Sequence, residues 1–140
     1  MNAGTFEKVT QSTKALYGPR KLLLCGFAAS MQANFAKVLE FSGLAELDVV
    51  WVSAAQADDE IGQLMELTPG TGTGIDSDLP RAIVVAGIGE NELHSLMNAC
   101  RASGMKSALW AVLTPVSEKW TLRQLLVELE AERTALQDKA

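Results

Sequence analysis

The chain has 140 residues, of which 48% are hydrophobic and 21% charged, with a net charge of −5 and a pI near 4.8. That length fits one domain able to bury roughly two-thirds of its unfolded surface. An acidic chain lacks the clustered Lys and Arg that a nucleic-acid surface needs, and no apolar run approaches the roughly 20 residues of a membrane span.

The start, MNAGTFEKVTQSTKAL, is too polar for a secretory core, so a cytoplasmic protein is expected. Within an N-terminal segment, 1–18, the spacing of Phe6, Val9 and Leu16 allows a short docking helix. A first strand is expected in LLLCGF, 22–27, an apolar run ending in glycine as strands buried on both faces do. In the helix that follows, Met31, Phe35, Val38 and Leu39 share a face, Ser30 is the expected N-cap and Gly43 the left-handed stop. LDVVWVS, 47–53, reads as a second strand, and a short helix from Asp58 or Asp59 carries Ile61, Leu64 and Met65.

Next comes TPGTGTGIDSDLP, 68–80, which looks like a phosphate-binding loop. Such a loop follows a strand and opens a helix. This one follows a helix and leads into a strand, lacks Gly-Lys-Ser/Thr, and carries Asp76 and Asp78 where an anion would want cations. It reads instead as a linker, 68–79, made flexible by its glycines.

Beyond it the pattern starts again. A shift of 61 residues lays Pro19-Arg20 on Pro80-Arg81, Gly26 on Gly87, Ser42-Gly43 on Ser103-Gly104 and Gln63-Leu64 on Gln124-Leu125. The elements between match in type. AIVVAGI, 82–88, is a strand; Leu93, Leu96, Met97 and Cys100 form a helical stripe capped by Asn91 and stopped by Gly104; ALWAVLT, 108–114, is a strand. Thr121-x-x-Gln124 makes a capping box with Trp120 and Leu125 as its hydrophobic staple, and Leu122, Leu125, Leu126 and Leu129 face inward. The organisation is one domain, 1–140: a first repeat, 19–67, the linker, a second repeat, 80–133, and a tail, 134–140, extending the last helix. Two βαβα repeats predict an α/β fold, a small parallel sheet of order 2-1-3-4 covered by helices.

Within the second repeat, the run Ala111 to Arg133 resembles the ending of a small prokaryotic domain, domain of unknown function 3783. Gly87, a helix near 91–103, Thr114 and Trp120-Thr121-Leu122 stand where that family has a Gly-ended strand, a helix, a strand closing in Thr, and a Trp-Thr-Leu helix. The resemblance spans roughly 80–133; the first half keeps only the skeleton, with Ser53, Asp59 and Glu60 at the positions of Thr114, Trp120 and Thr121. It implies this fold and a prokaryotic intracellular origin, and assigns no activity.

Catalytic chemistry is hard to assemble. His94 is the only histidine, with Glu90 as a helix-surface neighbour. Asp58-Asp59-Glu60 suits a helix start better than a cation site. Cys25 and Cys100 read as small core hydrophobes rather than a redox pair. No catalytic residue, metal ligand or cofactor is therefore expected. One constellation remains. In open α/β sheets ligands bind beyond the carboxyl ends of strands, which points to a crevice between Gly26, Phe27 and Ser30 on one loop and Gly87, Gly89 and Asn91 on the other, with Thr114 beside it. Three functions follow: a protein-interaction or regulatory module, a small-molecule binder at that crevice, or an enzyme. Strand 108–114 carries no charge and no Pro before Pro115, while 47–53 has Asp48. That contrast predicts a homodimer through the second repeat, leaves room for an unknown protein partner, and involves neither nucleic acid nor membrane.

Overall fold

A computed structural model describes residues 15–105 and 107–139, with side chains to Leu136. Phe6 and Val9, and with them most of the expected docking helix, lie outside the described residues; Leu16 lies within them and is half-buried. The elements in chain order are β1 (Lys21–Cys25), α1 (Ala29–Phe41), β2 (Asp48–Val52), α2 (Ile61–Met65), β3 (Ala82–Ala86), α3 (Glu90–Ala102), β4 (Leu109–Val112) and α4 (Leu122–Lys139). Short 3-10 turns at Ala54–Gln56 and Ser117–Lys119 precede α2 and α4.

All of β1 and β3 is buried because both faces of the sheet are covered. Successive side chains of a strand point to opposite faces, and the core divides accordingly. Leu23, Cys25, Val50, Val52 and Val84 pack against Ile61, Leu64 and Met65 of α2 and Leu122, Leu125 and Leu126 of α4. Leu22, Leu24, Trp51, Ile83 and Val85 pack against Phe35, Val38 and Leu39 of α1 and Leu96 and Cys100 of α3. The helix stops are as expected. Gly43 and Gly104 have φ of 78°, and Leu44 N bonds Leu39 O at 2.8 Å while Gly43 N bonds Glu40 O at 3.1 Å, the paired pattern of a left-handed C-terminal turn. The capping box also forms: Gln124 Oε1 accepts from Thr121 N at 2.9 Å and Thr121 Oγ1 from Gln124 N at 3.2 Å. The N-terminal caps of α1 and α3 differ. Ala28 and Gly89 hold those positions rather than Ser30 and Asn91.

The sheet order is β2-β1-β3-β4, as expected. Its sense is not. β1 runs parallel to β2 and β3 parallel to β4, but the central pair β1–β3 is antiparallel, with Leu23 opposite Val84. The sheet is mixed, and the parallel sheet is corrected.

The linker explains the reversal. α2 brings the chain back to the Lys21 end, where Lys21 Nζ donates to Met65 O at 2.7 Å and Leu67 O at 2.8 Å. Residues 70–72 then climb the outer side of β2: Gly70 N bonds Val49 O at 2.8 Å, and Thr71 O accepts from Trp51 N at 2.9 Å. The chain therefore enters β3 at the Cys25 end and must run down against β1. Far from a loose tether, the segment is a bonded strap. Gln32, buried in α1, clasps it through Gly72 O and Gly74 N at 3.3 and 2.8 Å. Gly72 has φ of 86°, and a Cβ there would collide with Trp51 O; only glycine allows the strap to lie this close.

Candidate functional site

At one end of the sheet, β1 turns through Gly26 into α1. Gly26 has φ of 78°, and the space beside its Cα is filled by the backbone of Leu79 and Arg81. Its N–H donates to Ser77 Oγ at 3.1 Å, and Ser77 N donates to Phe27 O at 3.3 Å. Asp76 Oδ1 accepts from Ala29 N at 2.7 Å. The positive start of α1, where a bound anion would be favoured, thus holds a carboxylate of the chain itself. Phe27 is buried, edge-on to Phe35 and Trp51 at centroid distances of 5.4 and 5.5 Å, with the Arg81 guanidinium 4.6 Å above its ring. Ser30 is exposed in the first turn of α1.

The opposite end holds the remaining site residues. Gly87, with φ of 71°, is approached by the backbone of Pro19 and Arg20 as Gly26 is by that of Arg81. Its N–H bonds Tyr17 O at 3.1 Å. Gly89 N donates to Glu92 Oε1 at 2.7 Å, and Arg20 grips both oxygens of Glu92 at 2.7 Å while reaching Glu46 at 3.3 Å. Arg20, with help from the Gly89 N–H, lowers the Glu92 carboxyl to about 2. Asn91 is exposed. Thr114 follows β4 at this same end, since β4 is parallel to β3, and exchanges hydrogen bonds with Ser117 at 3.0–3.1 Å.

The antiparallel central pair therefore separates the expected crevice into halves. Gly26, Phe27 and Ser30 lie beyond Cys25, while Gly87, Gly89, Asn91 and Thr114 lie beyond Ala86, which pairs with Lys21 at the far end of β1. No single crevice joins the two loops. Sequence reasoning missed two polar groupings. Arg20–Glu92–Glu46 could have been flagged by the Pro-Arg pair that recurs at 19–20 and 80–81. The Asp76 cap had no local signal, because it serves a helix that starts 47 residues earlier in the chain.

The other candidates resolve into structure. Cys25 and Cys100 are free and buried in the two separate core clusters, on opposite faces of the sheet, and burial pushes their thiols up to about 12 and about 11. A thiol so displaced is a poor nucleophile at neutral pH. Asp58 pairs with Arg123 at 2.9 Å, which lowers its carboxyl, and Asp59 O accepts from Leu122 N at 3.0 Å. His94 is exposed. Among the described residues no three His, Cys, Asp or Glu gather around a common point, and no helix is long and apolar enough to cross a membrane. An apolar groove of about 480 Å³ lies between α1 and α3, lined by Met31, Val38, Phe41, Ala99 and Met105 among others. Phe41 at its rim is 91% exposed.

The second half carries the decisive comparison. Residues 81–136 match the family model described as Domain of unknown function (DUF3783). The matched span opens at Arg81, just before β3, and ends within α4, so it takes in β3, α3, β4, the Thr114–Ser117 turn and the capping box. No curated protein and no solved structure matches the chain.

Proposed function

We propose that this protein is a non-enzymatic interaction module, cytoplasmic and of prokaryotic origin, built from two βαβα repeats and self-associating through the second. The observation that carries the reading is the contrast between the two sheet edges. The outer side of β2 is bonded to the strap at Val49 and Trp51. Among the described residues no hydrogen bond reaches the outer side of β4, whose Val112 is 37% exposed and leads into Val116, 67% exposed. A strand with free N–H and C=O groups, no charge and no Pro is a template for another strand, and a twofold contact between two copies of β4 is self-complementary. The occupant is thus a second copy of the chain.

Polar groups that chemistry could have used are engaged in the fold, which supports association rather than catalysis. Thr114 is tied to Ser117 and Glu92 to Arg20. Unpaired buried thiols on opposite faces suit a reducing compartment. The repeat reading draws on the recurrence of equal elements 61 residues apart: Lys21–Cys25 with Ala82–Ala86, and Ala29–Phe41 with Glu90–Ala102. Sedimentation of the wild type, Trp110→Lys and Val112→Lys at micromolar concentration tests the association. The wild type should sediment as a dimer and both variants as monomers. A monomeric wild type would overturn the reading.

A further inference from the structure

The register of the central pair has a property that goes beyond the open edge. Leu23 lies opposite Val84, its counterpart at the 61-residue shift, and the flanking pairs are reciprocal: Leu22 with Val85 and Leu24 with Ile83, Lys21 with Ala86 and Cys25 with Ala82. The same reciprocity holds on the α2–α4 face. Glu60 bridges Thr121, again 61 residues on; Ile61 N bonds Trp120 O at 2.9 Å, and Leu122 N bonds Asp59 O at 3.0 Å. Gly26 is closely approached by Arg81, and Gly87 by Pro19 and Arg20, so each glycine receives the Pro-Arg segment of the other half. These relations are those of an isologous interface, in which residue i meets j and j meets i. They occur here inside one chain.

We infer that the chain is a fused dimer, and that the surface its second half presents to the first is self-complementary, able to accept the second half of another copy. This inference rests on the repeat reading. It draws further on the family match, which covers the second half alone. Substituting a second copy of that half preserves most of what the interface uses. Val84 would oppose Val84, and Ile83 would oppose Val85, all apolar and all buried. Gly87 would receive Pro80-Arg81 in place of Pro19-Arg20, the same dipeptide. The Leu122 N–H would find the partner's Trp120 carbonyl, the bond that Ile61 now makes. Lys21, the charged residue of the central pair, is satisfied within its own half by Met65 O and Leu67 O and is not needed. The main loss is at the helix layer, where Leu96 would replace Phe35 and leave unfilled volume. The exchanged pairing is therefore weaker than the native one.

The test uses the full chain, with Cys25→Ala and Cys100→Ala as background and a protease site inserted between Gly74 and Ile75, where both residues are exposed. Directly opposed residues of an antiparallel pair have Cβ atoms close enough for a disulfide to form after small adjustment. In the intact chain, Leu23→Cys with Val84→Cys should oxidise to an intramolecular disulfide. Failure there would remove the axial pairing, and the repeat reading with it. In the cleaved chain carrying Val84→Cys alone, prolonged oxidation should trap the weaker exchanged pairing as the halves dissociate and re-pair, and shift a growing share of the C-terminal fragment to twice its mass on a denaturing gel and in the mass spectrum. Val85→Cys should give no such product, because it would face residue 83. An unlinked C-terminal fragment, alongside a successful Leu23–Val84 link, would overturn self-complementarity and leave the repeat reading standing. Equal linking by Val84→Cys and Val85→Cys would likewise overturn it, since the register would then be absent.

Discussion

The two halves of this chain have the same order of elements and reach stability by different means. The first half, 19–67, is held from inside and from its flank. Phe27, Phe35 and Trp51 meet edge to face in one cluster, its last helix has only five residues, and its outer strand is closed by the strap. The second half, 80–133, has Ile88, Leu96 and Val112 at the positions of those three aromatics, an 18-residue last helix with a complete capping box, and an outer strand whose outer side is unbonded among the described residues. The lesson is that one fold can trade core aromatics and a covered edge against a long, well-started helix. The half with the better local signals is also the half whose outer strand lacks a bonded neighbour among the described residues.

Phe35→Ala strikes at the first half's aromatic cluster and should destabilise the protein most, by about 4 kcal/mol through lost burial and the cavity left behind. Leu96→Ala, at the equivalent place, should cost about 3 kcal/mol. Denaturant titration of the pair measures the difference, and equal losses would break the contrast between the cores. Gly72→Ala should cost about 2–3 kcal/mol, because the new Cβ meets Trp51 O on a backbone with φ of 86°. It should also free the edge of β2, so that association measured by sedimentation rises as stability falls; a variant that melts like the wild type would mean that the strap does not close this edge.

Trp120→Ala tests the start of α4. Trp120 is half-buried against the core and precedes the capping box, so a loss of about 2 kcal/mol in thermal melting is expected. If melting is unchanged, the second half does not depend on its helix start. Asp76→Ala removes the cap that the strap lends to α1 and should cost about 1 kcal/mol, with faster amide exchange confined to the first turn of α1.

The smallest effect is a pH dependence. Glu92 is lowered from 4.5 to about 2 in the folded protein, so the unfolded chain binds the proton more readily. Its contribution is complete above about 4.5 and fades as pH falls toward 2, and with both partners partly exposed it amounts to less than about 1 kcal/mol. Glu92→Gln should flatten the acid limb of stability against pH by that amount. An unchanged acid limb would show that Arg20 does not hold this carboxylate in solution.

What the residues determined by themselves was local. Apolar runs placed four strands, two of them closing in glycine, helical spacing placed the buried stripes, Gly43 and Gly104 stopped their helices, and Thr121-x-x-Gln124 started the last one, because each of these depends on backbone geometry within a few residues. Even the strand order followed from the succession of elements. The sense of the central pair did not. It depends on which end of the sheet the strap delivers the chain to, and that is decided by contacts between Gly70–Gly72 and β2, Gln32 and the strap, and Asp76 and α1, all between residues far apart in the chain. The candidate crevice depended on the same choice. Gly26 and Gly87 were legible as special positions, yet the reason for them is close approach of a neighbouring Pro-Arg backbone, which exists only once β1 and β3 lie antiparallel. Periodicity reports which face of an element is buried; it carries no information about the direction in which a distant strand arrives.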